Sequence, residues 1–217
     1  MSNNSVVITS AKRTAVGTLN KSLKNVPSHI LGSAVISETI KRSKLQNDEV
    51  DEVILGQVLT GGAGQNPARQ ASIHCGIPKE KPAYIVNQVC GSGIRSIASG
   101  FQSIKAGDSK IIIAGGQENM SLAPHAIHLR KGKKLGDAEI QDTMIKDGLW
   151  DAFHGYHMGV TAENVAEKFQ ITREEQDKFA IRSQQKALEA QKQNRFKDEI
   201  INFKINSKEA EIDFNKD

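Results

Sequence analysis

The stretch Asn87-Gln88-Val89-Cys90-Gly91-Ser92-Gly93-Ile94-Arg95 holds a cysteine where a strand pattern gives way to a helix pattern. The apolar run Tyr84-Ile-Val leads into it, and an amphipathic run follows. Cys90 therefore belongs at or just before a helix N-terminus, where unpaired backbone N–H groups and the positive end of the helix dipole favour a thiolate. The same N–H groups can stabilise an oxyanion on a tetrahedral carbon. Gly91 and Gly93 permit a sharp turn and leave room for a substrate to approach. This is the chemistry of a nucleophile that forms a covalent thioester. A small buried hydrophobe satisfies the same pattern, and the local motif leaves both readings open. Cys75, in Ser72-Ile-His-Cys-Gly76, has no helix start after it and reads as a packing residue.

The elements that must position Cys90 alternate between two periods. Val6-Val-Ile-Thr, Val53-Ile-Leu-Gly-Gln-Val-Leu, Tyr84-Ile-Val and Ile111-Ile-Ile-Ala read as buried strands. Helices are expected from about Ser28 to Lys44, from Pro67 to about His74, and from about Ser92 to Lys105. The last carries Ile94, Ile97, Ala98, Phe101 and Ile104 at helical spacing. Its small residues Gly93, Ser96, Gly100 and Ser103 suggest a face that another helix can approach closely. Such alternation implies a mainly parallel sheet covered on both faces.

After about Gln117 the pattern changes. Residues 119–158 read as a long elaborated loop rich in glycine, histidine and charge. Two helices follow. One has the apolar stripe Ala162, Val165, Ala166 and Phe169, and the next is opened by the capping-box spacing Thr172-Arg-Glu-Glu175 and runs to about Gln193. Ile200-Ile-Asn-Phe-Lys-Ile is a further strand candidate, after which no closing element is evident. The expected organisation is an α/β unit at 1–118 carrying the nucleophile and a partial second unit at 119–217.

Composition narrows the classes. Of 217 residues, 38% are hydrophobic and 25% charged, which is ordinary for a globular protein. No window is apolar enough to span a bilayer, and the first residues lack the charged start and apolar core of a secretory leader. Two cysteines are too few for a disulfide scaffold or a four-cysteine metal site, so reduced thiols and a cytoplasmic location are expected. The net charge of +4 is weak evidence for nucleic acid: residues 1–118 hold 13 basic and 8 acidic groups, and residues 119–217 hold 16 and 17. The cluster Arg130-Lys131-Gly132-Lys133-Lys134 reads as a solvated loop. Neither a nucleic-acid nor a membrane partner is expected.

Asn87-Gln-Val-Cys-Gly-Ser-Gly-Ile-Arg-Ser resembles the acyl-cysteine motif of the thiolases. Ala11-Lys-Arg-Thr-Ala-Val-Gly17, Gly64-Gln-Asn-Pro-Ala-Arg-Gln70, Ala114-Gly-Gly-Gln-Glu-Asn-Met-Ser121, Tyr156-His-Met-Gly-Val-Thr-Ala-Glu-Asn164 and Arg173-Glu-Glu-Gln-Asp177 resemble segments of the same family in the same order. The resemblance is to the biosynthetic, acetoacetyl-CoA type. It implies a layered α/β/α domain with an inserted loop domain, here incomplete, at residues 119–217. It also implies a reversible Claisen condensation of two acetyl-CoA molecules to acetoacetyl-CoA through an acyl-cysteine, with no metal or cofactor beyond the coenzyme A thioesters. By motif, Cys90 is the acylated nucleophile and its own N–H belongs to an oxyanion hole. Leu149, His157 and Met158 match positions lining the pantetheine channel of coenzyme A. Similar proteins assemble as homodimers or homotetramers.

The sequence also departs from the family pattern. The Gly-His-Pro histidine that activates the nucleophile and the Cys-x-Gly cysteine that serves as acid and base do not occur: none of the six histidines sits in Gly-His-Pro, and no cysteine follows Cys90. The Asn-Glu-Ala-Phe segment is missing too. The expectation is therefore the first half of a thiolase with most of its loop domain, inactive by itself. The alternatives are a non-catalytic acyl-CoA-binding or partner subunit and a ketoacyl-synthase-like condensing enzyme. Tyr156-His-Met-Gly and Gly115-Gly-Gln-Glu argue against the latter.

Overall fold

The structure is a computed structural model that describes residues 5–206 and 211–217. Met1–Asn4, part of the stretch considered for a leader, lie outside the described residues. The elements that carry the architecture are α1 (Ser28–Arg42), β1 (Glu52–Gly56), α2 (Pro67–His74), β2 (Ala83–Val86), α3 (Ser92–Ala106) and β3 (Ile112–Gly116). The three strands form a parallel sheet in the order β2-β1-β3, with Val53 opposite Ala83 and Ile113. Helix boundaries follow local chemistry. Pro67 opens α2 with its fixed φ, and the Asn66 side chain accepts the Arg69 N–H at 3.1 Å. Gly107, at φ 88, closes α3 in a left-handed conformation.

Alternation along β1 sorts the layers. Val53 and Leu55 join Ile36, Ile40, Val50, Ala68, Ala71 and Ile77 in a core between the sheet and the α1/α2 layer. The opposite face meets α3, but not through its apolar stripe. Ser92, Ser96 and Gly100 are the buried residues of α3. A Cβ on Gly100 would stand 3.2 Å from Ile112 Cγ2, and the Ser96 hydroxyl lies 2.7 Å from both the Gly93 and Gly115 carbonyls. The small-residue face expected to admit another helix is thus spent on the sheet. Ile94 (75% exposed), Ile97 and Phe101 (49% exposed) point outward. Small residues are what let a helix lie this close to strands that end in Gly56 and Gly115-Gly116.

Three further expectations change. Val6–Thr9 is not a strand: the segment has no ladder partner among the described residues, and Val7 and Ile8 are 70% and 77% exposed. Nearby, Arg13 bridges to Ile200. An apolar, β-branched run does not make a strand without an edge to pair with. Residues 119–158 are not a plain loop. They contain β4 (His125–Ala126) antiparallel to β5 (Gln141–Asp142) and α4 (Thr143–Gly148), whose first N–H groups are capped by Asp142. The chain also has a closing element: β6 (Phe203–Asn206) pairs antiparallel with β7 (Glu211–Phe214). Between α4 and β6 run α5 (Met158–Lys168) and α6 (Arg173–Lys192), the latter opened by the expected Thr172/Glu175 capping box.

The late segment packs back on the early one. Phe203 and Phe214 pack with Leu23 and Leu31. Arg13 donates to Glu199 at 2.7 Å and, through both terminal nitrogens, to Asp217 at 2.8 and 2.9 Å, with its guanidinium over the Phe196 ring. The Arg13 hydrogen bonds hold the Asp217 carboxyl below the usual carboxylate range, helped by the Val16 N–H and opposed by partial burial.

Two outcomes follow from these contacts. A Cβ on Gly56 would lie 2.5 Å from the Ser92 carbonyl carbon and 2.7 Å from the Gly93 nitrogen, both backbone atoms. Gly56→Ala should therefore cost about 2–3 kcal/mol of unfolding free energy in urea titration, as overpacking does. Asp217, with its pKa lowered in the folded state, contributes stability that is fully present above the unfolded carboxylate pKa of about 4 and is lost as pH falls through the folded value. Thermal melts between neutral pH and pH ~3 should show this component, about 1 kcal/mol, in the parent and not in Asp217→Asn.

Candidate active site

Cys90 stands at the C-terminal end of the sheet, two residues before α3, and its side chain is exposed. The turn that presents it is held by backbone and side-chain bonds. Gly91 N donates to Gln88 O at 3.0 Å and Ser92 N to Val89 O at 3.1 Å. The Ser92 hydroxyl donates to Val89 O at 2.6 Å and accepts the Gln88 N–H at 2.9 Å, while the Asn87 side chain accepts the Val89 N–H at 2.9 Å. Val89 pays for this shape with φ 48, a left-handed conformation that β-branched residues avoid. Gly93 has open space where its Cβ would be, so the approach over the first turn of α3 is clear.

Support comes from the neighbouring strand ends. Glu118, just past β3, accepts the Val58 N–H at 2.8 Å and the Leu59 N–H at 3.3 Å, fixing the chain as it leaves β1. Beside it, Gln57 and Gln117 are buried together, with Gln117 Nε2 donating to Gln57 Oε1 at 2.9 Å and Gln57 Nε2 donating to Ser28 Oγ and the Leu59 carbonyl. This pair was not anticipated from the sequence. Its signal is a polar residue closing each apolar strand run, Val53-Ile-Leu-Gly-Gln57 and Ile112-Ile-Ala-Gly-Gly-Gln117.

The three residues matched to a pantetheine channel are brought together with one another. Leu149 caps the end of α4, and its carbonyl accepts the Met158 N–H at 2.8 Å. Trp150 and His157 pair as an antiparallel bridge. His157 is the N-cap of α5: its Nδ1 accepts the Gly159 N–H at 3.0 Å, which assigns the ring proton to Nε2 and leaves that N–H facing outward as a donor. His157 and Met158 are exposed and Leu149 is half-buried. None of the three shares a hydrogen bond or ion pair with Cys90 among the described residues. A concavity of about 650 Å³ lined by Phe169, Ile171, Glu175, Phe179 and Arg182 lies on the α5/α6 face, away from these groups. Among the described residues no group of three metal-ligating side chains is found, and no helix is long and apolar enough to cross a membrane.

Cys75 is placed differently. It caps the C-terminus of α2, its sulfur lies 3.1 Å from the Ser72 carbonyl, and burial pushes its thiol pKa up. At neutral pH, iodoacetamide should label Cys90 at least about tenfold faster than Cys75, read by peptide mapping after brief treatment. Preferential labelling of Cys75 is the result this geometry does not allow.

Comparison with known proteins supplies the context. Residues 6–217 match the family model described as "Thiolase, N-terminal domain". The chain is 57% identical over its whole length to an acetyl-CoA acetyltransferase of Rhizobium meliloti (strain 1021), of which it covers 55%. It is 52% identical over 94% of its length to the cytosolic acetyl-CoA acetyltransferase of Rattus norvegicus, of which it also covers 52%. The crystal structure of the Bacillus anthracis acetyl-CoA acetyltransferase superposes with a TM-score of 0.94 at 40% identity, covering 97% of this chain and 54% of that one. The chain thus spans about half the length of the curated relatives it matches.

Proposed function

Since the chain belongs to the thiolase family, we propose that it carries the nucleophile of an acetyl-CoA C-acetyltransferase, with Cys90 as the group that is acylated. The observation that carries this reading is the exposed Cys90 on a rigidly bonded turn before α3, with open space over Gly93. In the forward direction the thiolate attacks the carbonyl carbon of acetyl-CoA, a C–S bond forms, and CoA leaves with the electron pair and takes up a proton. A second acetyl-CoA, deprotonated at its methyl carbon, then attacks the acetyl-cysteine carbonyl and gives acetoacetyl-CoA while the Cys90 thiolate is released. A thioester is already activated and acidifies its α C–H, so residues that bind and move protons suffice.

Leu149, His157 and Met158 are proposed to line the pantetheine arm, the apolar pair flanking it and His157 Nε2–H donating to one of its amide carbonyls. Their backbone ties, Leu149 to Met158 and Trp150 to His157, support treating them as one surface. We assign residues 1–118 to the nucleophile-bearing α/β unit and 119–217 to a partial loop domain that binds coenzyme A. Phe203 and Phe214, from the second segment, pack on Leu23 and Leu31 of the first, so the two are in contact. A cytoplasmic location, in keeping with the rat relative being a cytosolic acetyl-CoA acetyltransferase, and assembly as a homodimer or homotetramer complete the reading.

The 217 residues contain neither Gly-His-Pro nor a cysteine after Cys90. General acid–base groups contribute about 10²–10⁴-fold each, so the chain by itself should show no measurable thiolysis. The assay is CoA-dependent loss of acetoacetyl-CoA absorbance. It is run on this chain, on a protein that continues the chain with a segment carrying both motifs, and on the Cys90→Ser form of that protein. Turnover is expected only in the second, because a serine hydroxyl without an adjacent base is a far weaker nucleophile. Full activity in the serine form removes Cys90 from the mechanism. Inactivity of the continued protein, with retained acyl-CoA binding, favours the non-catalytic subunit.

A further inference from the structure

We infer that Ser92 is a positioning residue for this chemistry: its buried hydroxyl sets the Val89–Cys90 peptide so that the Cys90 N–H faces the acyl oxygen. The inference rests on the reading of Cys90 as the acylated group. A trans peptide is planar, so the carbonyl of Val89 and the N–H of Cys90 point in opposite directions. The Val89 carbonyl is drawn toward the first turn of α3 by two donors, the Ser92 hydroxyl at 2.6 Å and the Ser92 N–H at 3.1 Å. The Cys90 N–H is therefore turned away from that helix, and among the described residues it donates to no protein group.

The hydroxyl's only proton and one of its lone pairs are committed. It accepts the Gln88 N–H at 2.9 Å, and its own proton goes to Val89 O. Ser92 is 4% exposed, so water does not compete for these bonds. The clamp is needed because Val89 has no intrinsic reason to hold φ 48. Relaxation of Val89 to an extended conformation turns the peptide over and withdraws the N–H. On the outer side the Asn87 side chain, accepting the Val89 N–H at 2.9 Å, opposes the same relaxation.

The consequence is selective. When the Cys90 thiolate attacks an ester or thioester carbonyl, the C–S bond forms and the carbonyl π electrons move to oxygen. The oxyanion then collapses and expels the leaving group with its electron pair. A correctly aimed N–H lowers that barrier. Alkylation by iodoacetamide displaces iodide from a saturated carbon, builds no oxyanion, and has no use for the N–H.

The experiment compares two reagents on one thiol, with Cys90 followed by peptide mapping in the 217-residue chain: p-nitrophenyl acetate for acylation and iodoacetamide for alkylation. Ser92→Ala should slow acetylation of Cys90 about tenfold, a fraction of what complete loss of an oxyanion donor costs, and leave alkylation within about twofold. Asn87→Ala, at an exposed position with little folding risk, should slow acetylation about threefold on the same ground. If acetylation and alkylation fall together, or if acetylation is unchanged in both alanine variants, Ser92 has no such role. A parent chain whose Cys90 is acetylated no faster than Cys75 overturns the nucleophile reading itself, which is distinguishable from a loss confined to the variants.

Discussion

The structure depends on the approach of β1 to the first turn of α3. At Gly56 the strand ends against the backbone of Ser92 and Gly93, so close that even a methyl group would displace one of them. Everything at the candidate site inherits this contact. It fixes the height of α3 over the sheet, which fixes where the turn at residues 87–91 must begin its climb. The bonds of Ser92 to Gln88 and Val89 then convert a fixed helix position into a fixed cysteine position. A backbone-to-backbone contact suits this task, because it has no rotamers through which error can enter.

Much of this was legible in the sequence where the signal was local. The start at Pro67 and the Thr172/Glu175 box placed helix ends where the structure has them. Cys90 was legible because a period of two gives way to a period of 3.6 around it. The parallel sheet was expected from strand–helix alternation, and what failed were particular contacts that depend on a partner distant in sequence. Val6–Thr9 has strand composition and no strand to pair with. The orientation of α3 was misjudged because its apolar stripe is the stronger pattern, yet the glycines of the strands beneath it accept only the small face. The buried Gln57–Gln117 pair lies 60 positions apart, and neither glutamine announces the other.

The two segments distinguished by composition are joined most strongly at their extremes. Arg13 uses all three of its guanidinium nitrogens, on Glu199, Asp217 and the Thr14 carbonyl, and stacks on Phe196 besides. A lysine supplies one point charge and no planar face, so it cannot reproduce this junction. The α1 layer gains a cover from Phe203 and Phe214 in the process. Contacts at both ends of the chain thus tie the segment after residue 118 to the one before it.

The reversed orientation of α3 has a bearing on how substitutions along it will be tolerated. Conventional scales rank Gly→Ala and Ser→Val as mild and Phe→Lys as severe, on the assumption that large apolar residues are inside. Along this helix the usual burial is inverted: Ser92, Ser96 and Gly100 face the sheet, where a Cβ on Gly100 would stand 3.2 Å from Ile112, while Ile94, Ile97 and Phe101 are exposed in this chain. The helix thus separates two kinds of information that usually share one face. Its inner side records the thickness of the layer, and its outer side is free to record the identity of whatever lies against it.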